Sequence, residues 1–491
     1  MLSTLNIIII ISLLVITSFW GYIFRGKSES SNDFFVGGKT IPWWVVSFSI
    51  IATTTSAATF VTVPAYIYGD GGDLKYLIVL PGFVVGNIIM AYLFVKPFYE
   101  ENVTSPYEFM EVRLGSHVSQ LARGLFFVAV ILSQAVKLLA TAIVLSEILG
   151  TSISIYESIL IMSAFAVFWS VMGGISTVIW TDFLLWTVFT IGAIIAMVFI
   201  FGGIDGGFSE AWRIADAHAK TVIVDLSLDP TKNFTVWVGI FGASIFHLGS
   251  YAVDQVVTQR ILSCKNVKSA KKAVIFSGLT VTSTILMLIV GIGIFAWYQI
   301  YPPSAESTAL IAENKDRVFP HFVIHELPDG ISGIIIAALF SAGISTLTSA
   351  LTAVGETTIF GFYKKYFKKK ADDKHYLKAS KIAIALVGAL FAVVAFAFNT
   401  FSKEGLLNMA LGVPGYSYGA LLGIALLALW RKGSWKTILV GTLCSVFLVT
   451  YLSFAFEIGF FWRYPLGALT VLVVVFGYEW ILNSRMVKKL V

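Results

Sequence analysis

The sequence predicts an all-α polytopic membrane protein with thirteen transmembrane helices. Of its 491 residues, 57% are hydrophobic and only 13% are charged, and the mean hydropathy is +0.85. A soluble domain carries about 25% charged residues, whereas a membrane-spanning helix needs about 20 mostly apolar ones. Apolar stretches of that length alternate with short polar breaks along the chain. Together these observations exclude a soluble enzyme.

The predicted spans follow one another with short connections. The first stretch has neither a charged n-region nor a small-residue cleavage site, which favours a retained helix over a signal peptide. No linker is long enough to separate soluble domains, so we expect one integral membrane domain over 1–491. The thirteen predicted spans are 4–25, 43–68, 74–98, 120–149, 152–172, 178–202, 234–258, 271–300, 329–361, 379–399, 404–430, 436–456 and 461–483.

The basic residues predict the orientation. Cytoplasmic loops of membrane proteins carry an excess of Lys and Arg. With the N-terminus outside, 25 of the 34 Lys and Arg residues fall on the cytoplasmic side and eight on the other. We therefore expect an extracellular N-terminus and a cytoplasmic C-terminus in the cell (inner or plasma) membrane. The formal charge of +6 then reflects topology, and no nucleic-acid partner is needed to explain it.

A lysine-rich segment at 364–381 is interpreted as a solvated cytoplasmic connector. Binding of lipid head groups is the alternative.

Hydroxyl residues gather in the middle of the second span. Residues 52–59 hold five hydroxyl side chains among small residues, and Pro64 follows them. Such a run is a poor continuous helix, and irregular backbone in a membrane must line a cavity or an ion site. We expect an unwound stretch whose carbonyls and hydroxyls bind a small cation. The alternative is a packing face whose Ser and Thr side chains bond to their own helix.

A second set of hydroxyls forms a stripe on the ninth span. Ala342, Ser345, Thr346 and Ser349 recur at helical spacing, and Thr348 broadens the stripe. Uncharged oxygens suit a monovalent cation, since Mg²⁺ and Ca²⁺ prefer carboxylates. The alternative is a small-residue face that packs against a neighbouring helix.

Ionisable residues inside predicted spans are further candidates. An intramembrane carboxylate is costly unless it is paired or ligated, so Asp182 is a functional hypothesis. Asp254 lies near the end of the seventh span, where pairing with Arg260 is the favoured interpretation. Lys137, in the middle of a span, snorkels, pairs with a carboxylate or binds an acidic substrate. Metal motifs such as HExxH and CxxC are absent from the sequence.

Several motifs, taken in order, resemble the sodium:solute symporter family. They are 33–38 before 42–44, the 52–64 span, 106–109, 172–174 leading to 180–182, Asp254-Gln255 with Gln259-Arg260, and the 345–349 stripe. The resemblance covers nearly the whole chain and implies a LeuT-type fold. Its 5+5 inverted-repeat core would comprise 43–202 and 234–430, with one extra helix at 4–25 and two C-terminal helices in 436–483.

The resemblance also implies a function and its ion sites. The function is sodium-coupled symport of a small polar organic solute, an organic acid or a sugar, by alternating access. The main Na⁺ site would use Ala52, Thr55, Ala342, Ser345 and Thr346. A second Na⁺ site, which would give two Na⁺ per solute, would use Asp182, Ser345, Thr348 and Ser349.

The solute contacts are also carried over from the family. The carboxylate-binding arginine of the sialic acid branch falls here at Ser133, and its glutamine falls near Leu80, which counts against sialic acid. Lys137, one turn beyond Ser133, is the candidate replacement for another organic acid. The predicted solute-binding residues are Thr54, Ser56, Thr59, Tyr76, Ser133, Lys137, His247, Tyr251, Tyr416 and Tyr418.

Two other functions compete with symport. A transporter-like channel or sensor that does not couple is the main alternative, and we expect such a sensor to carry a long C-terminal signalling domain. A membrane enzyme would need His, Asp or Glu clustered at one depth, whereas here they are scattered. Because one inverted-repeat unit is complete in itself, we expect a monomer in the lipid bilayer.

Overall fold

The computed structural model describes residues 3–23, 39–149, 153–172, 175–402 and 405–490. Within these ranges every regular element is a helix, and the one β-type pairing is an isolated bridge between Ile41 and Cys264. The all-α prediction is therefore confirmed. The motif at 33–38 and the glycine pair at 173–174 lie outside the described residues.

The helices are numbered in chain order. Single 3₁₀ turns at Lys315–Arg317 and Phe460–Trp462 lie directly before the helices that begin at Val318 and Arg463. They are α1 (Thr4–Ile23), α2 (Trp43–Thr54), α3 (Ala57–Tyr68), α4 (Leu74–Glu100), α5 (Pro106–Leu114), α6 (Ser116–Leu149), α7 (Ile155–Met172), α8 (Ile175–Gly202), α9 (Gly207–Ala217), α10 (Val238–Ala252), α11 (Gln255–Leu262), α12 (Val267–Ile300), α13 (Ala305–Glu313), α14 (Val318–His325), α15 (Ile331–Phe367), α16 (Asp373–Phe401), α17 (Leu406–Trp430), α18 (Trp435–Ala455) and α19 (Arg463–Leu490).

Many of these helices have the length and composition of membrane spans. In the described part of the chain, nine are long and apolar enough to cross a membrane, and the bent pair α2–α3 makes a tenth. Shorter apolar helices at Thr4–Thr17, Ile155–Val171 and Val238–Ala252 lie where the other three spans are predicted. The helices support a multi-pass membrane protein, while the number thirteen stays a prediction.

One predicted span differs from the structure. The seventh span, predicted as one stretch over 234–258, is interrupted at Val253 and Asp254, where α10 ends and α11 begins. Asp254 is extended and its side chain accepts a hydrogen bond from the Val256 amide, which starts a new helix. The lysine-rich 364–381 segment is largely helical, because α15 continues to Phe367 and α16 begins at Asp373.

Helix α15 occupies the centre of the helical assembly. Its apolar window is 94% buried, compared with 33% for α8 and 39% for α16. It packs on α6 through Gly343, where an added Cβ would lie 2.5 Å from the Thr141 side chain. This close approach depends on glycine, as small residues do in packed membrane helices. The hydroxyl stripe of α15 is consequently enclosed by protein.

Candidate functional site

The second predicted span is broken in its middle, as its hydroxyl-rich run predicts. Helix α2 ends at Thr54, α3 begins at Ala57, and the two are bent by 51°. Thr55 has φ −93° and ψ 86°, and Ser56 is extended, so neither continues a helix. The last carbonyls of a helix lack intrahelical donors. The end of α2 therefore presents acceptor oxygens at the break.

A small cavity lies where this break meets α15. Its volume is about 10 Å³, and Ala52 and Thr55 line it together with Ala342 and Ser345. The remaining lining residues are Leu185, Trp186 and Phe189 of α8. A volume near 10–15 Å³ holds about one water-sized particle. The fold thus brings four of the five residues predicted for the main Na⁺ site around one space.

The fifth residue, Thr346, lies beside this cavity on the same helix. Its hydroxyl donates to the Ala342 carbonyl at 2.9 Å. The Thr55 hydroxyl is 3.0 Å from the hydroxyl of Thr280 on α12. Each hydroxyl still has lone pairs to offer, because a hydroxyl has one donor and two acceptor positions. Thr280 is a neighbour of the cavity that sequence reasoning missed.

Asp182 of α8 is fully buried and belongs to a polar cluster. Its carboxylate accepts hydrogen bonds from Ser49 at 2.6 Å and from Ser345, and it pairs with Arg260 at 3.0 Å. Arg260 also donates to Ser49 at 2.8 Å and to Ser349 at 2.6 Å. We call Ser49, Asp182, Arg260, Ser345 and Ser349 the Asp182 cluster. It joins helices α2, α8, α11 and α15.

Arg260 corrects the expected pairing of Asp254. We predicted an Asp254–Arg260 pair, but Arg260 binds Asp182, while Asp254 caps α11 and accepts a hydrogen bond from Tyr418 at 2.8 Å. The physical reason is the helix break at 253–254, which commits the Asp254 carboxylate to the N-terminus of α11. Arg260 is fully buried, and a buried charge needs a partner.

Of the residues predicted for a second Na⁺ site, three lie in the Asp182 cluster. Thr348 does not: its hydroxyl donates to the Ser345 carbonyl at 2.9 Å, and it lines a cavity of about 40 Å³ with Thr177, Thr181 and Ser345. Ser49 and Arg260 are the cluster members that sequence reasoning missed. The cost of a buried carboxylate is a signal that some cation faces Asp182, but it does not say which one.

A polar and aromatic group lies beside the helix break. His247 Nδ1 donates a hydrogen bond at 2.6 Å to the Asn87 side-chain oxygen, and the Asn87 amide nitrogen donates to the Ser277 hydroxyl at 3.3 Å. Ser277 in turn contacts the Tyr251 hydroxyl at 3.3 Å, and Thr54 is 3.0 Å from Thr280. The fold therefore assembles Thr54, His247 and Tyr251 from the predicted solute set. Asn87 and Ser277 were missed.

The other predicted solute contacts are dispersed. Tyr76 packs on Phe234 with ring centres 5.0 Å apart, and Tyr418 binds Asp254. Tyr416 contacts Arg463 at 4.5 Å and stacks on Phe454. The remaining four are Ser56, which precedes α3, Thr59 within α3, and Ser133 and Lys137 on α6. Lys137 is half-buried and so keeps some accessible surface.

A larger cavity, the Lys315 vestibule, opens at the far end of α3. Its volume is about 830 Å³, and Asp70, Lys315, Asp316 and Arg317 line it. Lys315 pairs with Asp70 at 2.7 Å, and Arg317 pairs with Glu147 at 2.9 Å. Burial raises the pKa of the Asp316 carboxyl from 3.8 to about 6. The vestibule therefore holds a carboxyl that titrates under mildly acidic conditions.

The architecture defines a class: a helical multi-pass transporter with a broken helix facing a buried hydroxyl stripe. The model of the sodium:solute symporter family matches residues 34–444. The chain is 28% identical to the sodium/sialic acid symporter NanT of Aliivibrio fischeri, over 97% of this chain and 92% of that protein. It is 29% identical to the sodium-coupled monocarboxylate transporter 2 of Bos taurus, over 90% of this chain and 70% of that protein.

Solved structures show the same fold. A substrate-bound, outward-open Na⁺-coupled sialic acid symporter superposes with a TM-score of 0.84 at 24% identity, over 96% of this chain and 97% of that one. Mhp1, a nucleobase-cation-symport-1 family transporter, superposes with a TM-score of 0.54 at 14% identity, over 94% of this chain and 96% of that one.

The chain belongs to the sodium:solute symporter family and has the LeuT-type fold. Membership confirms the expected class: a sodium-coupled symporter of a small organic solute, and a transporter rather than an enzyme. The sequence also contains two short patterns that occur in enzymes. GxxxxGKS at 21–28 begins on the apolar helix α1, and GxSxG at 415–419 lies within α17. Residues 24–28 of the first pattern lie outside the described residues, and the second pattern lies within a helix instead of the strand–turn–helix that a nucleophile elbow needs.

Proposed function

We propose that the main Na⁺ site is the cavity between the α2–α3 break and α15. Its ligands would be the Ala52 and Ala342 carbonyls and the hydroxyls of Thr55, Ser345 and Thr346. The observation that carries this proposal is the 10 Å³ cavity lined by four of these residues. Uncharged oxygens suit an ion that has to leave again, and one Na⁺ moved inward gains ~2.3 kcal/mol per 100 mV.

The second Na⁺ site that we propose is the Asp182 cluster. Its carboxylate and the hydroxyls of Ser345 and Ser349 are the oxygens available to an ion, with Thr348 on the adjacent turn. Arg260 supplies the positive charge at Asp182 in this conformation. A second Na⁺ therefore binds in a state in which Arg260 has moved away from the carboxylate. This exchange of cations would give two Na⁺ per solute.

The transported solute that we propose is a small organic acid. Two relatives carry solutes with a carboxylate, by their names, and Lys137 places a half-buried cation on α6. A sugar is the second candidate, favoured by the uncharged group of Thr54, Asn87 and Tyr251.

For the architecture we propose thirteen transmembrane helices. The ten long spans and the three shorter apolar helices together match this number. The inverted repeats would comprise 43–202 and 234–430, between one extra helix at 4–25 and two helices in 436–483. The distribution of basic residues supports an extracellular N-terminus and a cytoplasmic C-terminus. We also propose that a monomer in the lipid bilayer of the cell membrane is the functional unit.

Proteoliposome uptake tests the ion coupling and the solute together. We expect a labelled monocarboxylate to accumulate when an inward Na⁺ gradient is applied and to fail to accumulate when K⁺ replaces Na⁺. Ser345→Ala and Thr346→Ala should each weaken Na⁺ activation roughly tenfold or more. Ser445→Ala is the matched control, because that buried hydroxyl donates to the Gly467 carbonyl in α19. Uptake that is indifferent to Na⁺ and equal in all variants would refute the coupling.

A further inference from the structure

A polar stripe continues along α15 beyond the Asp182 cluster. Ser345, Ser349, Thr352 and Glu356 are spaced by four, three and four residues, which places them on one helical face. Thr352 is fully buried, and Glu356 is only 6% exposed. At 1.5 Å per residue, Glu356 lies ~16 Å along the helix axis from Ser345. The stripe therefore leads from the proposed Na⁺ sites toward the end of α15.

The stripe ends in a second large cavity, which we call the Glu356 pocket. Its volume is about 480 Å³, and Gln255 and Glu356 line it. The Gln255 amide donates to the Glu356 carboxylate at 2.8 Å and to the Thr104 carbonyl at 3.4 Å. The charged residues that share the lining are Glu108, Glu111, Arg123, Lys364 and Lys365.

Among the described residues, no Lys, Arg or His nitrogen lies within 4.0 Å of the Glu356 carboxylate. The neighbouring cations are engaged elsewhere: Arg123 pairs with Glu111 at 3.6 Å, and Lys365 pairs with Glu111 and contacts Ser116 at 2.7 Å. A buried carboxylate without a cation is unfavourable, so it needs either a bound cation or a proton.

The pocket also holds a polar atom that lacks a hydrogen-bond partner. Gln255 is fully buried, and in the described chain its side-chain oxygen has no hydrogen-bond donor. This oxygen and the Glu356 carboxylate are both acceptors, and the amide nitrogen already serves the carboxylate. Carbonyl and carboxylate oxygens are the ligands that a hard cation prefers. The two side chains thus offer oxygen ligands for a cation.

We propose that Gln255 and Glu356 form an exit site for Na⁺ on the cytoplasmic side. A Na⁺ that leaves the Asp182 cluster passes along Ser349 and Thr352 and binds there before it enters the cytoplasm. The inference rests on the proposed function and orientation. Its consequence is that internal Na⁺ also binds at Glu356 and slows release from the inside.

Inhibition of uptake by Na⁺ loaded inside proteoliposomes tests the exit site. Glu356→Gln should raise the half-inhibitory internal Na⁺ concentration roughly tenfold or more, as loss of a ligand does, while the external Na⁺ dependence stays unchanged. Glu356→Asp, which keeps the carboxylate, should restore much of the inhibition. Glu101→Gln is the matched control, because this carboxylate lies outside the pocket lining and pairs with Arg113 and Arg431.

The outcomes separate the exit site from other roles. If Glu356→Gln does not fold, Gln255→Met removes the carbonyl ligand and should weaken internal inhibition in the same direction. Internal Na⁺ inhibition that is equal in Glu356→Gln and wild type would overturn the exit site alone. A response of these variants to internal pH instead of internal Na⁺ would overturn it in favour of a proton site. Absence of Na⁺-driven uptake in the wild-type protein would instead refute the proposed function.

Discussion

Asp182→Asn removes the negative charge that faces Arg260 inside the protein. Both side chains are fully buried, and their closest atoms are 3.0 Å apart. Two unit charges 4 Å apart interact by about 4 kcal/mol at an effective dielectric constant of 20. Loss of one partner costs about 3–5 kcal/mol, because the other charge stays buried and unpaired. We expect Asp182→Asn to lower the free energy of unfolding by this amount.

A second substitution shows whether the buried charge is the cause. Asp182→Asn combined with Arg260→Gln removes both charges, so we expect the double variant to be more stable than Asp182→Asn alone. The measurement is the unfolding free energy of the four proteins in detergent, compared as a double-mutant cycle. Glu210→Gln is the control, because it breaks an exposed pair with Arg213 and should change nothing measurable.

Na⁺ dependence completes this test. Arg260→Gln leaves the Asp182 carboxylate without its internal cation, so Na⁺ should activate uptake at a lower concentration than in wild type. Asp182→Asn should lower the Hill coefficient for Na⁺ toward one. The reasoning is refuted if Asp182→Asn is as stable as wild type, or if neither variant alters Na⁺ activation.

Three further predictions address other parts of the molecule. Burial raises the pKa of Asp316 from 3.8 to about 6. Between these two pH values the folded state holds a proton that the unfolded state has lost. The free energy of unfolding should therefore rise as pH falls from about 6 to 3.8. Asp316→Asn should flatten that dependence in melting curves at pH 4.5 and 7. Gly343→Val should destabilise the α6–α15 contact by about 1–3 kcal/mol, measured by thermal unfolding against Gly477→Val, where an added Cβ meets no atom within 4 Å. Lys137→Gln should raise the KM for a carboxylate solute and leave kcat nearly unchanged; an unaltered KM would contradict contact with the acid.

Much of the candidate site could be predicted because its residues are polar, whereas the spans around them are apolar. The run at 52–59 reads as a break because small hydroxyl residues neither favour a helix nor suit lipid. The stripe on α15 follows from helical spacing, and Asp182 stands out because a carboxylate in a membrane is costly. Each of these signals is local, so the sequence alone contains it.

The partners across helices depend on packing. Arg260 follows Asp254 by six residues, yet it pairs with Asp182, 78 residues away in sequence, because the break at 253–254 uses Asp254 as a helix cap. The same break brings Gln255 against Glu356, 101 residues away. The sequence determined which residues are polar within the membrane and where one helix unwinds. Only the tertiary structure decided which charges meet, because the energy of a buried charge depends on atoms that distant segments bring within a few ångströms.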